Sequence, residues 1–335
     1  MKGRAVYAAQ PNVVELRPIE IDEKALKPGQ MLLKTRYSVI SPGTELDCLS
    51  GREAGWFHIP APLGYCGVTE VIATGEGVKS YAVGDLVLSA TPHATIGLSD
   101  EEWTRGKVPA GVDLKLAPLV HMTLISITAL RMSTAELGDY AVVLGQGLVG
   151  NFAAQFFKAQ GCRVIAVDRV AGRLEISRKC GIEMTVNGAE TDAVAAVKDL
   201  TDGRGAEIIV EATGTAPAAL QGMDMAARNG EMILLGTPRG EYQADVIPLL
   251  RAVHRNSPNL TLKGAHGGSL RSLPDPYVKH SLVRNSRVVF DMILRGELQL
   301  EPLVTRVAKP EEAPEVYQAQ REHPEVQLGV IFDWG

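Results

Sequence analysis

Cysteine is scarce in this chain: there are four among 335 residues, Cys48, Cys66, Cys162 and Cys180. No two form a Cys-x-x-Cys pair, which argues against both a disulfide framework and a structural zinc cluster. Cys162 and Cys180 read as small core residues. Aromatic residues make up only 5% of the chain, too few to suggest a stacking platform for single-stranded nucleic acid. Basic charge is not in excess either. The 34 Lys and Arg are outnumbered by 39 Asp and Glu, and the net charge of −5 gives no bulk attraction to nucleic acid or anionic lipid. No apolar run reaches the roughly 18 residues of a membrane helix. The opening Met1-Lys2-Gly3-Arg4-Ala5-Val6 lacks the apolar stretch of a secretory signal. The seven histidines form no His-x-x-x-His or His-Glu-x-x-His metal motif. The expectation is a cytoplasmic globular protein with a small-molecule substrate and no nucleic-acid or membrane partner.

What is present is enough apolar residue, 45%, to build a sizeable core, over a length that suits about two domains. Residues 1–120 hold short β-like runs such as Met31–Lys34, Val68–Ala73 and Leu86–Ser89. The turns Lys27-Pro28-Gly29 and Val83-Gly84-Asp85 punctuate them, which predicts a compact antiparallel, barrel-like unit. From about 121 to 267 strands alternate with helices. Tyr140–Leu144 is a buried strand, Leu148–Gln160 a helix, and Arg163–Val167 a second strand ending at Asp168. Helices near Ala171–Cys180 and over Ala193–Leu200 follow, then a strand Glu207–Val210, a helix Pro217–Arg228 and a strand Glu231–Leu235. That alternation predicts a parallel sheet covered on both faces. Residues 268–335 return to mixed short elements.

Between the first strand and helix of that region stands Gly145-Gln146-Gly147-Leu148-Val149-Gly150. Such a Gly-x-Gly-x-x-Gly is weak alone, but here it follows a strand and opens a helix, and Asp168 ends the next strand. Gly145 serves the tight turn, Gly147 lets backbone approach a pyrophosphate, and Gly150 lets helix and strand pack closely. The helix N-terminus presents free N–H groups to phosphate. Asp168 is placed to accept hydrogen bonds from the ribose hydroxyls, and its charge repels a 2′-phosphate, which favours NAD over NADP. Arg169 and Arg173 are placed either to reach an adenine ring or phosphate or to sit solvated at a helix start. Thr213-Gly214 and Gly236-Thr237-Pro238 end strands of the parallel sheet, where ligands of such sheets bind.

The order of β-rich unit, internal fingerprint and further chain resembles the medium-chain dehydrogenase/reductase superfamily, the relatives of zinc alcohol dehydrogenase. The resemblance spans nearly the whole chain. It rests on the opening strand at Met1–Val6, Ser41-Pro42-Gly43-Thr44-Glu45, Gly64 followed by Val71, Gly84-Asp85-Leu86-Val87, Ala117-Pro118-Leu119 and the 145–168 fingerprint. It implies a GroES-like catalytic domain from residues 1–120 and 268–335, a Rossmann domain over 121–267, and a homodimer or homotetramer.

The departures from that family are informative. Zinc members carry Cys-Gly-Thr-Asp where this chain has Pro42-Gly43-Thr44-Glu45, and Gly-His-Glu where it has Gly64-Tyr65-Cys66. His121 falls at the third ligand position, and the four-cysteine structural loop after His93 is missing. The resemblance is therefore to a zinc-independent branch associated with sugars and natural products. Without a metal a positioned acid or base must polarise the reacting oxygen. His121 is the expected base or proton relay, because histidine titrates near neutral pH, with a satisfied core or capping residue at the start of an apolar helix as the alternative. Tyr65 is the expected hydrogen-bond donor, or packing at a strand start; Thr44 extends a proton path; Glu45 orients Thr44 or His121, or forms a salt bridge. Cys66 reads as filler, and His266 either faces the substrate or caps a turn. Trp56, His58 and His93 read as ordinary surface or packing.

The expected activity is zinc-independent, NAD-dependent interconversion of a secondary alcohol and its ketone. An NADPH-dependent quinone or enone reductase is a second reading, and a non-catalytic nucleotide-binding protein a third.

Overall fold

The computed structural model describes residues 1–51, 57–255, 258–270 and 272–335, with residue 269 described by its backbone only. Trp56 lies outside the described residues. The chain divides into two compact units. One comprises Met1–His121, Leu270–Gly296 and Leu303–Gly335; the other comprises Met122–Ser269 and Glu297–Pro302.

In the first unit β1 (Lys2–Gln10) pairs antiparallel with β2 (Val13–Glu20). The strand β3 (Gln30–Val39) leads through Ser41 into helix α1 (Pro42–Ser50). Proline at the first helical position suits its fixed φ and missing N–H. A short β4 (Ala61–Pro62) returns to β1. The strands β5 (Gly67–Thr74) and β6 (Leu86–Ser89) follow, with β7 (Ile96–Asp100) pairing to β3. All these pairings are antiparallel.

Helix α2 (Val120–Met132) then carries the chain into the second unit. Its strands are β8 (Tyr140–Leu144), β9 (Arg163–Asp168), β10 (Met184–Asn187), β11 (Ala206–Glu211), β12 (Ala226–Leu234) and β13 (Thr261–Gly264). The helices between them are α3 (Leu148–Gln160), α4 (Ala171–Lys179), α5 (Ala193–Leu200), α6 (Ala216–Met225) and α7 (Ile247–His254). The sheet is parallel, in the order β10-β9-β8-β11-β12-β13. That is the 3-2-1-4-5-6 order of a doubly wound Rossmann sheet. Alternation along β8 sends Ala141 and Val143 into one core, with Phe157 and Ile208, and Val142 and Leu144 into the other, with Ile165 and Ile209. Both faces are thus buried, which is why these strands are continuous apolar runs.

The helix expected over Pro217–Arg228 ends earlier, at Met225, and Ala226–Arg228 begin β12. Ala226 pairs with Ala206 of β11, so sheet pairing overrides a run of good helix formers.

The chain then rejoins the first unit through α8 (Leu282–Leu294), β14 (Val304–Ala308), α9 (Ala313–Glu322) and β15 (Gly329–Asp333). The strand β15 pairs with β3, and Val330, Phe332 and Tyr317 share a core with Val6, Ile40 and Leu49. The two ends of the chain therefore build one hydrophobic core.

Candidate active site

The strand order reverses between β8 and β11, where ligands of open α/β sheets bind. Leaving β8, Gly145 adopts φ +89°, and a Cβ there would stand 2.8 Å from Thr213 Cγ2. Gly147 caps α3 with no side-chain hydrogen bond, and a Cβ on it would meet nothing within 4 Å. The first amides of α3, at Leu148 and Val149, thus stay available to an anion. A Cβ on Gly150 would lie 1.8 Å from the Gly145 carbonyl oxygen, so only glycine permits this approach of helix to turn. The Leu148 side chain is buried, and the Val149 carbonyl accepts from Ser126 Oγ at 2.7 Å. Their N–H groups at the helix start remain open to a ligand.

Gln146 serves the protein instead of a cofactor, which corrects the expectation from the motif. Its N–H donates to Asp168 Oδ2 at 2.6 Å, and its Nε2 donates to the Val143 carbonyl at 3.0 Å. Its Oε1 accepts from Ser177 Oγ at 3.0 Å. The Gln146 amide is fully buried and fastens the turn to its neighbours.

Asp168 ends β9 with its carboxylate held by the N–H of Gln146 and, at 2.8 Å, that of Val170. Arg173 approaches it at 3.9 Å, while Arg169 is exposed. Beyond β11, Thr213 and Gly214 are fixed by Glu211, a buried carboxylate the sequence reading passed over. It accepts from the Thr213 N–H at 2.7 Å, from the Thr213 hydroxyl, and from the Gly214 N–H at 3.0 Å. Its signal was a carboxylate closing a buried strand just before Thr-Gly. Gly214 has φ +71°, and a Cβ there would lie 2.3 Å from the Thr237 carbonyl. A Cβ on Gly236 would lie 2.4 Å from the Gly214 nitrogen. The structure thus gathers Gly145, Gly147, Asp168, Thr213, Gly214 and Gly236 at one end of the sheet, with Thr237 and Pro238 exposed beside them. A dinucleotide fits this cradle: bare glycine backbone, free helix amides and a fixed carboxylate.

In the first unit, Gly64 at φ +92° turns the chain just before Tyr65, and a Cβ there would stand 2.5 Å from the His93 ring. The Tyr65 hydroxyl donates to Ser41 Oγ at 2.6 Å and shares a hydrogen bond with Thr44. Burial pushes the Tyr65 phenol well above its usual range, so it stays protonated at neutral pH.

Glu45 is not in this hydroxyl cluster, which corrects its expected catalytic role. It is 2% exposed, and its Oε1 accepts the Ser41 N–H at 2.7 Å. Its Oε2 accepts the Tyr317 hydroxyl and, at 3.0 Å, His93 Nε2. Trp334 Nε1 donates to Ser38 Oγ at 2.9 Å, which leaves the Ser38 proton for His93 Nδ1 at 2.8 Å. This buried network fixes the Ser41 loop. His93, read from the sequence as ordinary surface or packing, is the fully buried centre of this network, while His58 is exposed.

His121 is not a base, and this is the main correction. It is fully buried. Its Nε2 lies 3.0 Å from the Gly67 carbonyl, which can only accept, so Nε2 carries the proton. Its Nδ1 therefore accepts from Arg105 Nη1 at 2.8 Å. Both nitrogens are occupied, and burial together with the Arg105 charge holds the ring well below its ordinary pKa. Cys66 is buried, and burial pushes its thiol up. His266 caps a turn, accepting the Gly268 N–H at 3.2 Å.

The resemblance brings zinc into question, and the residues do not fit it. Pro42 has no donor atom, and both His121 nitrogens are spent on the Gly67 carbonyl and Arg105. Among the described residues no group of three or more His, Cys, Asp or Glu is placed to hold a metal.

Residues 149–280 match the model of the zinc-binding dehydrogenase family. Erythritol/L-threitol dehydrogenase of Mycolicibacterium smegmatis is 30% identical over 313 residues, 80% of this chain and 84% of that protein. D-guloside 3-dehydrogenase of Escherichia coli K12 is 27% identical over 362 residues, 98% of this chain and 100% of its own. Among solved structures, a putative zinc-binding dehydrogenase from Sinorhizobium meliloti bound to NADP superposes with a TM-score of 0.83 over 99% of both chains, at 19% identity. The chain belongs to the medium-chain dehydrogenase/reductase superfamily. It is an oxidoreductase of the alcohol dehydrogenase type, with a GroES-like β-rich unit and a Rossmann unit.

Proposed function

We propose that the chain is a zinc-independent, NAD-dependent dehydrogenase that interconverts a secondary alcohol and its ketone, the alcohol being a polyol, sugar derivative or natural-product intermediate. A bound nicotinamide supplies the hydride chemistry. The protein must hold the alcohol and move one proton. The observation that carries this reading is the half-buried Tyr65 hydroxyl bonded to Ser41 and Thr44. With its phenol kept neutral, Tyr65 acts as a donor and relay. Each hydroxyl accepts one proton as it passes on its own, so the alcohol proton leaves during oxidation and returns during reduction.

Zinc independence is supported by the lack of fit at Pro42 and His121. NAD is supported by the fixed Asp168 carboxylate, which disfavours a 2′-phosphate. The substrate class is supported by the named relatives, whose substrates are a tetritol and a guloside. A second reading, an NADPH-dependent quinone or enone reductase, is favoured by Arg173 beside Asp168 and by exposed Arg169.

The edge of β13, unpaired among the described residues, and the exposed Ile247, Leu250, Val253 and Leu262 support self-association as a homodimer or homotetramer. No described helix is long and apolar enough to cross a membrane, and we place the protein in the cytoplasm.

The test is NAD(P)H absorbance with chelator-treated enzyme and a panel of polyols, sugars, bulky secondary alcohols, enones and quinones. The expected result is chelator-resistant NAD reduction by an alcohol, falling about 100-fold in kcat for Tyr65→Phe with NADH affinity unchanged. Turnover of enones with NADPH alone overturns the proposal.

A further inference from the structure

Arg105 was not singled out by the sequence, and the proton relay through Tyr65, Ser41 and Thr44 does not use it. Its backbone is locked against β6: the Arg105 N–H donates to the Leu88 carbonyl at 2.8 Å, and the Leu88 N–H donates to the Gly106 carbonyl at 2.9 Å. Gly106 has φ +123°, and a Cβ on it would lie 2.7 Å from Ser286 Oγ, so the segment has little freedom to shift. The guanidinium is half-buried and is held by His121 Nδ1 at 2.8 Å. His121 is in turn pinned to the Gly67 carbonyl at 3.0 Å, two residues along the chain from Tyr65.

This anchor is neutral. Arg36, Arg173 and Arg306 are also half-buried, and each faces a carboxylate: Glu70 at 3.0 Å, Asp168 at 3.9 Å and Glu312 at 2.8 Å. Among the described residues Arg105 has no carboxylate within 4.0 Å. The Cys66 thiol lies within electrostatic reach of it, and burial pushes that thiol up, towards its neutral form. Taking a cation partly out of water costs free energy that an anion would offset. Here a fully buried histidine aims the cation without neutralising it, and its remaining N–H donors form the flat fork that takes carboxylate or phosphate two bonds at a time.

We propose that Arg105 binds an anionic group of the substrate, a carboxylate or a phosphate, and that His121 is its positioning residue. The inference rests on the dehydrogenase reading for the identity of the bound molecule, but not for the anion site itself. The substrate class then narrows from neutral polyols to hydroxy acids and phosphate esters of the same carbon skeletons.

Two measurements test it on the full chain. In the first, calorimetric titration follows malonate and inorganic phosphate binding to wild type, Arg105→Met and Arg105→Lys, each checked for native circular dichroism. Binding to wild type and its loss in Arg105→Met are expected; equal binding by both overturns the proposal. Should Arg105→Met fail to fold, Arg105→Gln takes its place. In the second, NAD reduction compares each polyol with its aldonate and its phosphate ester. The anionic member is expected to have the higher kcat/KM, by about 30- to 100-fold, and the ratio to fall toward one in Arg105→Met. Preference for aldonates or for phosphate esters identifies the anion. A wild-type preference for the neutral members, or a ratio that the variant does not change, overturns the proposal. If no alcohol is oxidised at all, the dehydrogenase reading fails while the binding titration still decides the role of Arg105.

Discussion

Substitutions at two glycines of one turn are expected to separate folding from the nucleotide binding proposed there. At Gly147 an added methyl meets no protein atom within 4 Å. The substitution Gly147→Ala stabilises by about 0.4–1 kcal/mol through the unfolded chain. Losing glycine at a helix N-cap offsets this by a similar amount, so the net change is within about 1 kcal/mol. For a unit of this size that is at most about 4 °C in Tm. The methyl would, however, occupy the space a pyrophosphate needs, and NADH affinity is expected to fall at least about 10-fold, or about 1.4 kcal/mol. At Gly150 the methyl would lie 1.8 Å from the Gly145 carbonyl oxygen, where ordinary contact begins at 3.4 Å. Backbone must part from backbone by more than an ångström, so Gly150→Ala is expected to cost about 1–3 kcal/mol or more. Its Tm falls by several degrees, and NADH binding falls with it. Thermal unfolding and calorimetric NADH titration on both variants read this out. Wild-type NADH affinity in Gly147→Ala would refute the placement of the nucleotide on this turn, and wild-type Tm in Gly150→Ala would refute the close packing of helix on turn.

Two further outcomes follow from the buried histidines. His121 stays neutral in the folded protein, while in the unfolded chain it takes up a proton as pH falls through 6.5. The unfolded state then binds more protons, so this group removes about 1.4 kcal/mol of stability per pH unit below that value, down to its folded pKa. Denaturant unfolding between pH 7 and 5 should show a shallower acid loss for His121→Gln than for wild type, and parallel curves would contradict the buried neutral ring. In the Glu45 network, Gly64→Ala places a methyl 2.5 Å from the His93 ring at φ +92°. About 2–4 kcal/mol of destabilisation is expected from strain plus overpacking. Gly77→Ala, at φ +83° with no atom within 4 Å, carries only the backbone term of about 1 kcal/mol. Equal losses in the two variants would show that His93 is not pressed against this turn.

Local chemistry made part of this protein legible from its residues alone. The fingerprint needs only a strand, three glycines at fixed offsets and a helix start, and all of these lie within one short stretch. Asp168 follows from the length of one helix and the next strand, and Pro42 excludes a metal ligand by its covalent structure. Continuous apolar runs announced a sheet buried on both faces. Where several elements meet, the residue types did not suffice. The pairing of β12 with β11 turned Ala226–Arg228 into strand. Glu45 became a staple because His93 and Tyr317 close on it from 48 and 272 residues away. His121 had the right type for a base, but the Gly67 carbonyl, 54 residues distant, and Arg105, 16 residues distant, occupy both of its nitrogens. A titratable side chain takes its role from the donors, acceptors and dielectric around it, and those are assembled only when distant segments pack together. Sequence by itself determined the nucleotide fold and its turn; tertiary structure alone decided which polar residues are free to act and which are spent holding the frame.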